Sequence, residues 1–323
     1  MNTASLTPSA APGHSALAGT TVAIVSPGGY APDEAGLNRA LGRLEAQGCI
    51  VRNYYRHDAR HHRFGATDDE RIAQLHDAAR DPEVEVVIAL RGGYGMSRLL
   101  PRLDFAMLAQ SRKLFVGHSD ITALHMGLLR HGAISFAGPM ICDDFTREEA
   151  SDYTMGAFQD CLTHAECEVA GIVPESLDDN PAVDCRGMLW GGNLSMLTHL
   201  MGTSYLPAVD GGILFVEDVN EHPYRVERML LQLLHSGVLA RQKALVLGDF
   251  ANYRLSDYDN GYDFNAMLVW LRRELPIPVV NGLPFGHIRD KATLPVGADA
   301  HLQSDARNMR LRLRAYPFIG QGA

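Results

Sequence analysis

Four segments combine residue types with positions that suit acyl-transfer chemistry. The first is Leu114-Phe115-Val116-Gly117-His118-Ser119-Asp120-Ile121-Thr122. A short apolar run leads into glycine, then serine, then a helical pattern. That is the layout of a nucleophile elbow, where a tight turn lifts the hydroxyl above a sheet edge and the helix N-terminus offers free N–H groups to an oxyanion. The G-x-S-x-G pattern is incomplete, because Ile121 replaces the second glycine. The competing reading is that Ser119 merely caps the helix. The second segment, Arg91-Gly92-Gly93-Tyr94-Gly95, also follows an apolar run. Its amides could approach an anion and form half of an oxyanion hole, or the glycines could simply serve a tight turn. It lacks the G-x-G-x-x-G spacing and the P-loop lysine, which argues against a dinucleotide or nucleoside triphosphate.

The third segment ends in Glu217. Alternation along 212–217 puts Ile213, Phe215 and Glu217 on one face and Asp218 on the other. A carboxylate sharing a face with apolar residues must be paired or functional, and an ion pair with Arg225 is the alternative. The fourth is Gly286-His287, in a loop shaped by glycine and proline. It is one of 14 histidines. His118 adjoins Ser119, and side chains of neighbouring residues seldom face each other well enough for proton transfer. The cluster His57-Asp58-Ala59-Arg60-His61-His62 has neither H-E-x-x-H spacing nor a helical frame, so it reads as a solvated loop and not as a metal site.

These groups need a scaffold that gathers them. Short apolar runs at 21–26, 49–51, 84–90 and 113–116 alternate with helical patterns at 33–47, 67–80 and 121–129. Thr67 and Glu70 form a capping-box signature at the start of the second helix. Such alternation means βαβ units and a parallel sheet, with ligands bound beyond the carboxyl ends of its strands. The loops after residues 25, 90 and 117 then share one edge. The expected fold is α/β, a flavodoxin-like or Rossmann-like parallel sheet domain over 21–145 followed by a smaller α/β domain richer in β over 185–323. Residues 146–184 read as a connection with little periodicity. Residues 1–20, rich in Ala, Ser, Thr and Pro, read as a disordered leader without secretory character.

Composition sets outer limits. The chain has 323 residues and a formal net charge of −9. An acidic chain is a poor match for nucleic acid or an anionic membrane, since phosphates need Lys and Arg for neutralisation. No apolar run is long enough to span a bilayer. The five cysteines are odd in number and contain no C-x-x-C, so neither a disulfide framework nor a thiolate zinc site is indicated. A reducing cytoplasm is the simplest setting.

Taken together, the chain resembles the LD-carboxypeptidases, the murein tetrapeptide carboxypeptidase family of serine peptidases, to which the microcin-immunity peptidases are related. The resemblance runs from Val22 to about Gly297. It rests on Arg91-Gly92-Gly93-Tyr94-Gly95, Gly117-His118-Ser119-Asp120-Ile121-Thr122 and Trp190-Gly191-Gly192-Asn193-Leu194. It rests also on Phe215-Val216-Glu217-Asp218-Val219, Tyr224-Arg225-Val226-Glu227-Arg228-Met229-Leu230 and Leu283-Pro284-Phe285-Gly286-His287. Position 118 is often another aromatic in the family, and the segment 288–291 varies between branches. The resemblance implies Ser119 as nucleophile, His287 as general base and Glu217 as its orienter, with no metal or other cofactor. Backbone N–H groups of Asp120 and Gly93, or of Gly92 if the turn is rotated, would form the oxyanion hole. Arg91, Tyr94, Trp190 and Asn193 would line the substrate path. The implied substrate is a cytoplasmic murein tetrapeptide, cut before its terminal D-alanine, and the implied assembly is a homodimer. An immunity-type enzyme acting on an acylated peptide–nucleotide, or a non-catalytic anion- or peptide-binding module, are the alternatives.

Overall fold

The computed structural model describes residues 15–320. Its first sheet contains β1 (Thr21–Val25), β2 (Ile50–Asn53), β3 (Val86–Ala89), β4 (Leu114–Gly117) and β5 (Ser135–Ala137). All five run parallel in the order β5-β4-β3-β1-β2. Strands β1, β3, β4 and β5 are buried throughout, as continuous apolar runs in a parallel sheet should be. Helices Glu34–Ala46, Asp68–Arg80 and Thr122–Arg130 connect or flank them. The capping box opens the second of these as expected: Thr67 Oγ1 accepts from Glu70 N–H, and the Glu70 carboxylate accepts from Thr67 N–H.

The second sheet is mixed. It takes β6 (Glu166–Ile172), β7 (Val183–Asn193), β8 (Ile213–Val219), β9 (Ala244–Ala251) and β10 (Val279–Asn281). Strand β11 (Leu294–Val296) then leaves this sheet and pairs antiparallel with β5, extending the first sheet by one strand. Strands β12 (Asp299–Ser304) and β13 (Asn308–Arg314) return to the second sheet, whose order is β10-β9-β8-β7-β12-β13-β6. The long β7 serves both halves of it. Val183–Met188 pair antiparallel with β12, while Leu189–Asn193 pair parallel with β8.

Three expectations change. Residues 15–20 belong to the fold and not to a leader: Leu17 is buried in the core and Gly19 N–H donates to Gly48 O at 2.8 Å. Residues 1–14 lie outside the described residues. The segment 146–184 is more than a connection, because it supplies helix Asp152–Thr163 and the edge strand β6. Apolar residues at Phe158, Cys161, Leu162 and Val169 anchor it, a signal diluted by the charged outer faces. The second domain expected over 185–323 is divided, since β11 within it completes the first sheet.

The two sheets also meet through Thr122. Its Oγ1 accepts from Asn193 N–H at 2.9 Å, joining the helix after β4 to the end of β7. Both residues are buried. Replacing Thr122 by isosteric Val removes the acceptor and leaves a buried N–H unpaired, which costs about 1–3 kcal/mol. Urea denaturation of the Thr122→Val protein is expected to show a lower midpoint with an unchanged slope.

Candidate active site

Strand β4 ends at Gly117 and the chain turns sharply. His118 is extended, Ser119 takes a left-handed φ of 63°, and the short 3-10 turn Ser119–Ile121 feeds helix Thr122–Arg130. A left-handed serine is a strained placement that surrounding structure must enforce. It is also not a cap, since among the described residues the Ser119 hydroxyl accepts from no backbone N–H. The loop after β3 lies directly against it. A Cβ on Gly92 would sit 2.9 Å from Ser119 Cβ and 3.1 Å from its Oγ, so only glycine leaves room there.

Asp120 holds the two loops together. Its buried carboxylate accepts from Met96 N–H at 2.8 Å, at the start of the helix that follows Gly95. Burial raises the proton affinity of this carboxyl, against the opposing pull of that hydrogen bond and of Arg71. Among the described residues, no acceptor takes the N–H of Gly93 or of Asp120. Both amides therefore remain available beside the serine.

From the second sheet comes a carboxylate–imidazole pair. Glu217 Oε2 accepts from His287 Nδ1 at 2.7 Å, and Oε1 from Asn193 Nδ2 at 3.3 Å. The Glu217 side chain is 0% exposed and the imidazole 23%, so the carboxylate is sealed while the ring is reachable. Since a carboxylate only accepts, Nδ1 carries a proton and Nε2 is left to take one. Burial lowers the proton affinity of His287, but the hydrogen bond and charge of Glu217 outweigh it and the net shift is upward from 6.5. Gly286 makes the pairing possible. Its φ is 138°, and a Cβ there would meet Glu217 Oε2 at 3.2 Å.

Glu217 is buried as its alternation predicts, but Asp218 is not on an independent face. A bulge between Val216 and Asp218 breaks the register with β9, and bulges re-aim side chains. Asp218 Oδ1 thus accepts from Asn193 Nδ2 at 3.0 Å, beside Glu217. Arg225, the alternative partner for Glu217, lies 3.7 Å from Glu221 instead.

The sequence-derived residues divide into groups. Ser119, Gly92, Gly93 and Asp120 come together at the edge of the first sheet, and Glu217 and His287 come together on the second. The bridge between the groups is His118, whose ring centroid is 5.1 Å from that of His287. Among the described residues, Ser119 Oγ itself makes no hydrogen bond to His287. Buried His118 donates from Nδ1 to Gly138 O at 3.0 Å, and burial, with the nearby charges of Lys291 and His287, drives its proton affinity well down. Arg91 is half-buried and has no ion pair among the described residues; Tyr94 is exposed, with its ring 5.9 Å from that of Phe64. Trp190 and Asn193 do not line a substrate path. Trp190 lies in the core with Nε1 donating to Gln242 Oε1 at 2.8 Å. Asn193 caps helix Leu194–Leu200 through Oδ1 and spends Nδ2 on the two carboxylates. Residues 189–193 are all buried, so Trp190 lies in a stretch of strand covered on both faces and is core.

The same chain order of serine loop, glutamate strand and histidine loop runs through two matching family domains. The LD-carboxypeptidase N-terminal domain matches residues 22–138 and the LD-carboxypeptidase C-terminal domain matches residues 186–302. A probable murein peptide carboxypeptidase of Bacillus subtilis is 31% identical over 287 residues, covering 88% of this chain and 89% of the relative. The murein tetrapeptide carboxypeptidase of Pseudomonas aeruginosa is 30% identical over 289 residues, covering 88% and 93%. Among solved structures, a muramoyltetrapeptide carboxypeptidase from Oxalobacter formigenes superposes with a TM-score of 0.88 at 58% identity, covering 92% of this chain and all of that one. The microcin C7 self-immunity protein MccF shares the fold, with a TM-score of 0.82 at 23% identity over 93% of this chain and 97% of that one. Fold and relatives define a serine-type hydrolase. The chain belongs to the LD-carboxypeptidase family.

The Glu217–His287 pair makes a direct prediction. An NMR titration of the His287 ring is expected to give a midpoint above 6.5. In Glu217→Gln, with the opposing charge gone and burial retained, the midpoint is expected to fall below that of the unmodified protein.

Proposed function

We propose that the protein is a serine LD-carboxypeptidase that removes the terminal D-alanine from murein tetrapeptides. Ser119 Oγ adds to the carbonyl carbon that joins the third residue to D-alanine, and its proton passes to His287 Nε2. Glu217 holds the ring in the required tautomer and stabilises the imidazolium as it forms. The N–H groups of Gly93 and Asp120 receive the oxyanion, each donor being worth about 3 kcal/mol in sites of this kind. The carbon–nitrogen bond then breaks as His287 returns its proton to the departing amine. Water, deprotonated by the same imidazole, cleaves the acyl-enzyme and frees the shortened peptide. The chain itself supplies proton transfer and oxyanion stabilisation, so the reaction written here needs no metal or cofactor.

The observation that carries this reading is the hydrogen bond between Glu217 and His287, whose ring lies 5.1 Å from that of His118 in the strained turn of Ser119, with the uncommitted amides of Gly93 and Asp120 in the two loops that meet there. The hydroxyl and imidazole still have to close to hydrogen-bond distance, a step that commonly awaits substrate in enzymes of this type. The Arg91 guanidinium, without an ion pair among the described residues, suits a peptide carboxylate, and exposed Tyr94 lies on the same loop. The carboxypeptidase names of the relatives and the 58% identity with the Oxalobacter formigenes enzyme support the tetrapeptide over an acylated nucleotide. No helix among the described residues is long and apolar enough to cross a membrane. Peptidoglycan recycling in the cytoplasm and a homodimeric assembly follow from the family resemblance as parts of the same proposal.

Release of D-alanine from a murein tetrapeptide, assayed beside hydrolysis of an aminoacyl sulfamoyl adenosine, separates the carboxypeptidase from the immunity-type reading. Ser119→Ala is expected to lower tetrapeptide turnover by about a thousandfold or more with the fold intact; retained turnover contradicts the proposal. The pH dependence has a definite sign. His287 must be neutral to accept the proton, and its affinity is raised. The acidic limb of kcat/KM is therefore expected above 6.5, with activity lost as pH falls through it.

A further inference from the structure

The loop that carries His287 does not end at the imidazole. Four residues on, Lys291 is buried, and its Nζ lies 2.5 Å from Asp144 Oδ1, with side-chain exposures of 2% and 1%. Asp144 sits in the turn Ile141–Phe145, which follows β5 in the first sheet. That turn is fixed in its own right: Asp144 Oδ2 accepts from Met140 N–H at 2.9 Å, and Cys142 N–H donates to Leu90 O at 2.8 Å, at the root of the Arg91–Gly95 loop. The Lys291 side of the pair is equally held. Thr154 Oγ1 accepts from Lys291 N–H at 2.9 Å and donates to Arg289 O at 2.8 Å, and Ala292 N–H donates to Pro284 O.

A buried ion pair is a costly way to hold a loop, because two charges must leave water and an apolar pair of similar volume often does as well. Its position points to a use for the charge. We propose that the Lys291–Asp144 pair is a positioning device for His287, clamping its loop to the first sheet and holding a positive charge in the same loop as the imidazole. This rests on the reading of His287 as the general base. The ammonium is the member of the pair whose charge bears on both His287 and His118. The other groups facing His287 are Glu217 and Asp218 from β8, Asp249 from β9 and His118 from the nucleophile turn. The carboxylates among them pull its proton affinity up, and Lys291 is the formal positive charge set against them. The pair thus keeps the base from being protonated too readily while fixing its place.

The test compares the unmodified protein with Lys291→Met and with the double variant Lys291→Met, Asp144→Asn. The double variant avoids leaving a buried carboxylate unpaired, and the introduced amide can still accept from Met140 N–H. Both variants are expected to move the NMR titration of His287 upward by about half a pH unit or more. The acidic limb of kcat/KM is expected to move with it, and kcat to fall while KM holds. A purely structural pair would lower the melting temperature and leave the His287 titration where it was in the double variant, and that result overturns the proposal. A shifted ring titration with an unmoved rate profile supports the pair's action on His287 and contradicts the assignment of His287 as base.

Discussion

A carboxylate with no exposed surface must be answered by donors, and Glu217 shows what that constraint builds. Its two oxygens take His287 Nδ1–H at 2.7 Å and Asn193 Nδ2–H at 3.3 Å. Leaving such a group unpartnered in the interior costs several kcal/mol, so the loop bearing His287 and the end of β7 are drawn to the end of β8. The same hydrogen bond fixes the imidazole tautomer and leaves Nε2 free to take a proton. Asn193, through its own N–H, then ties this cluster to Thr122 on the helix that follows the serine turn. One buried acid thus accounts for the placement of the imidazole and for one of the seams between the sheets.

Glycine performs the complementary task of bringing backbones close. Gly286 lets its loop lie on Glu217, and Gly92 lets the loop after β3 lie on Ser119. At both positions a methyl group would displace a proposed catalytic side chain. Asp120 supplies the cross-tie, binding the amide of Met96 from the residue next to the serine. The result is a serine in a left-handed conformation with uncommitted amides beside it, held by a fold that offsets the strain through buried hydrogen bonds.

Much of this was legible in the residues. The parallel sheet, the capping box at Thr67, the shared edge of the loops at 91–95 and 117–119 and the burial of Glu217 all follow from local pattern. What was not legible depended on long-range contact. The helix Asp152–Thr163 and strand β6 expose charged faces that mask their buried residues. Strand β11 offers only three residues, and nothing local says that it will join the first sheet. The bulge at Glu217 brings Asp218 into the same cluster, which alternation alone does not foresee. The family resemblance puts Asn193 and Trp190 in a substrate wall, whereas the structure spends one on capping and carboxylate binding and the other on the core. Lys291, in a polar loop beside Arg289 and Asp290, has no sequence signal for burial until Asp144 is seen opposite it.

The central claim is that His287 activates Ser119 as the nucleophile. Labelling with a serine-directed fluorophosphonate, followed by peptide mass spectrometry, tests it most directly. The account predicts a single adduct on Ser119 that forms much more slowly in His287→Ala. An adduct on another residue, or equal labelling rates with and without the imidazole, would contradict it.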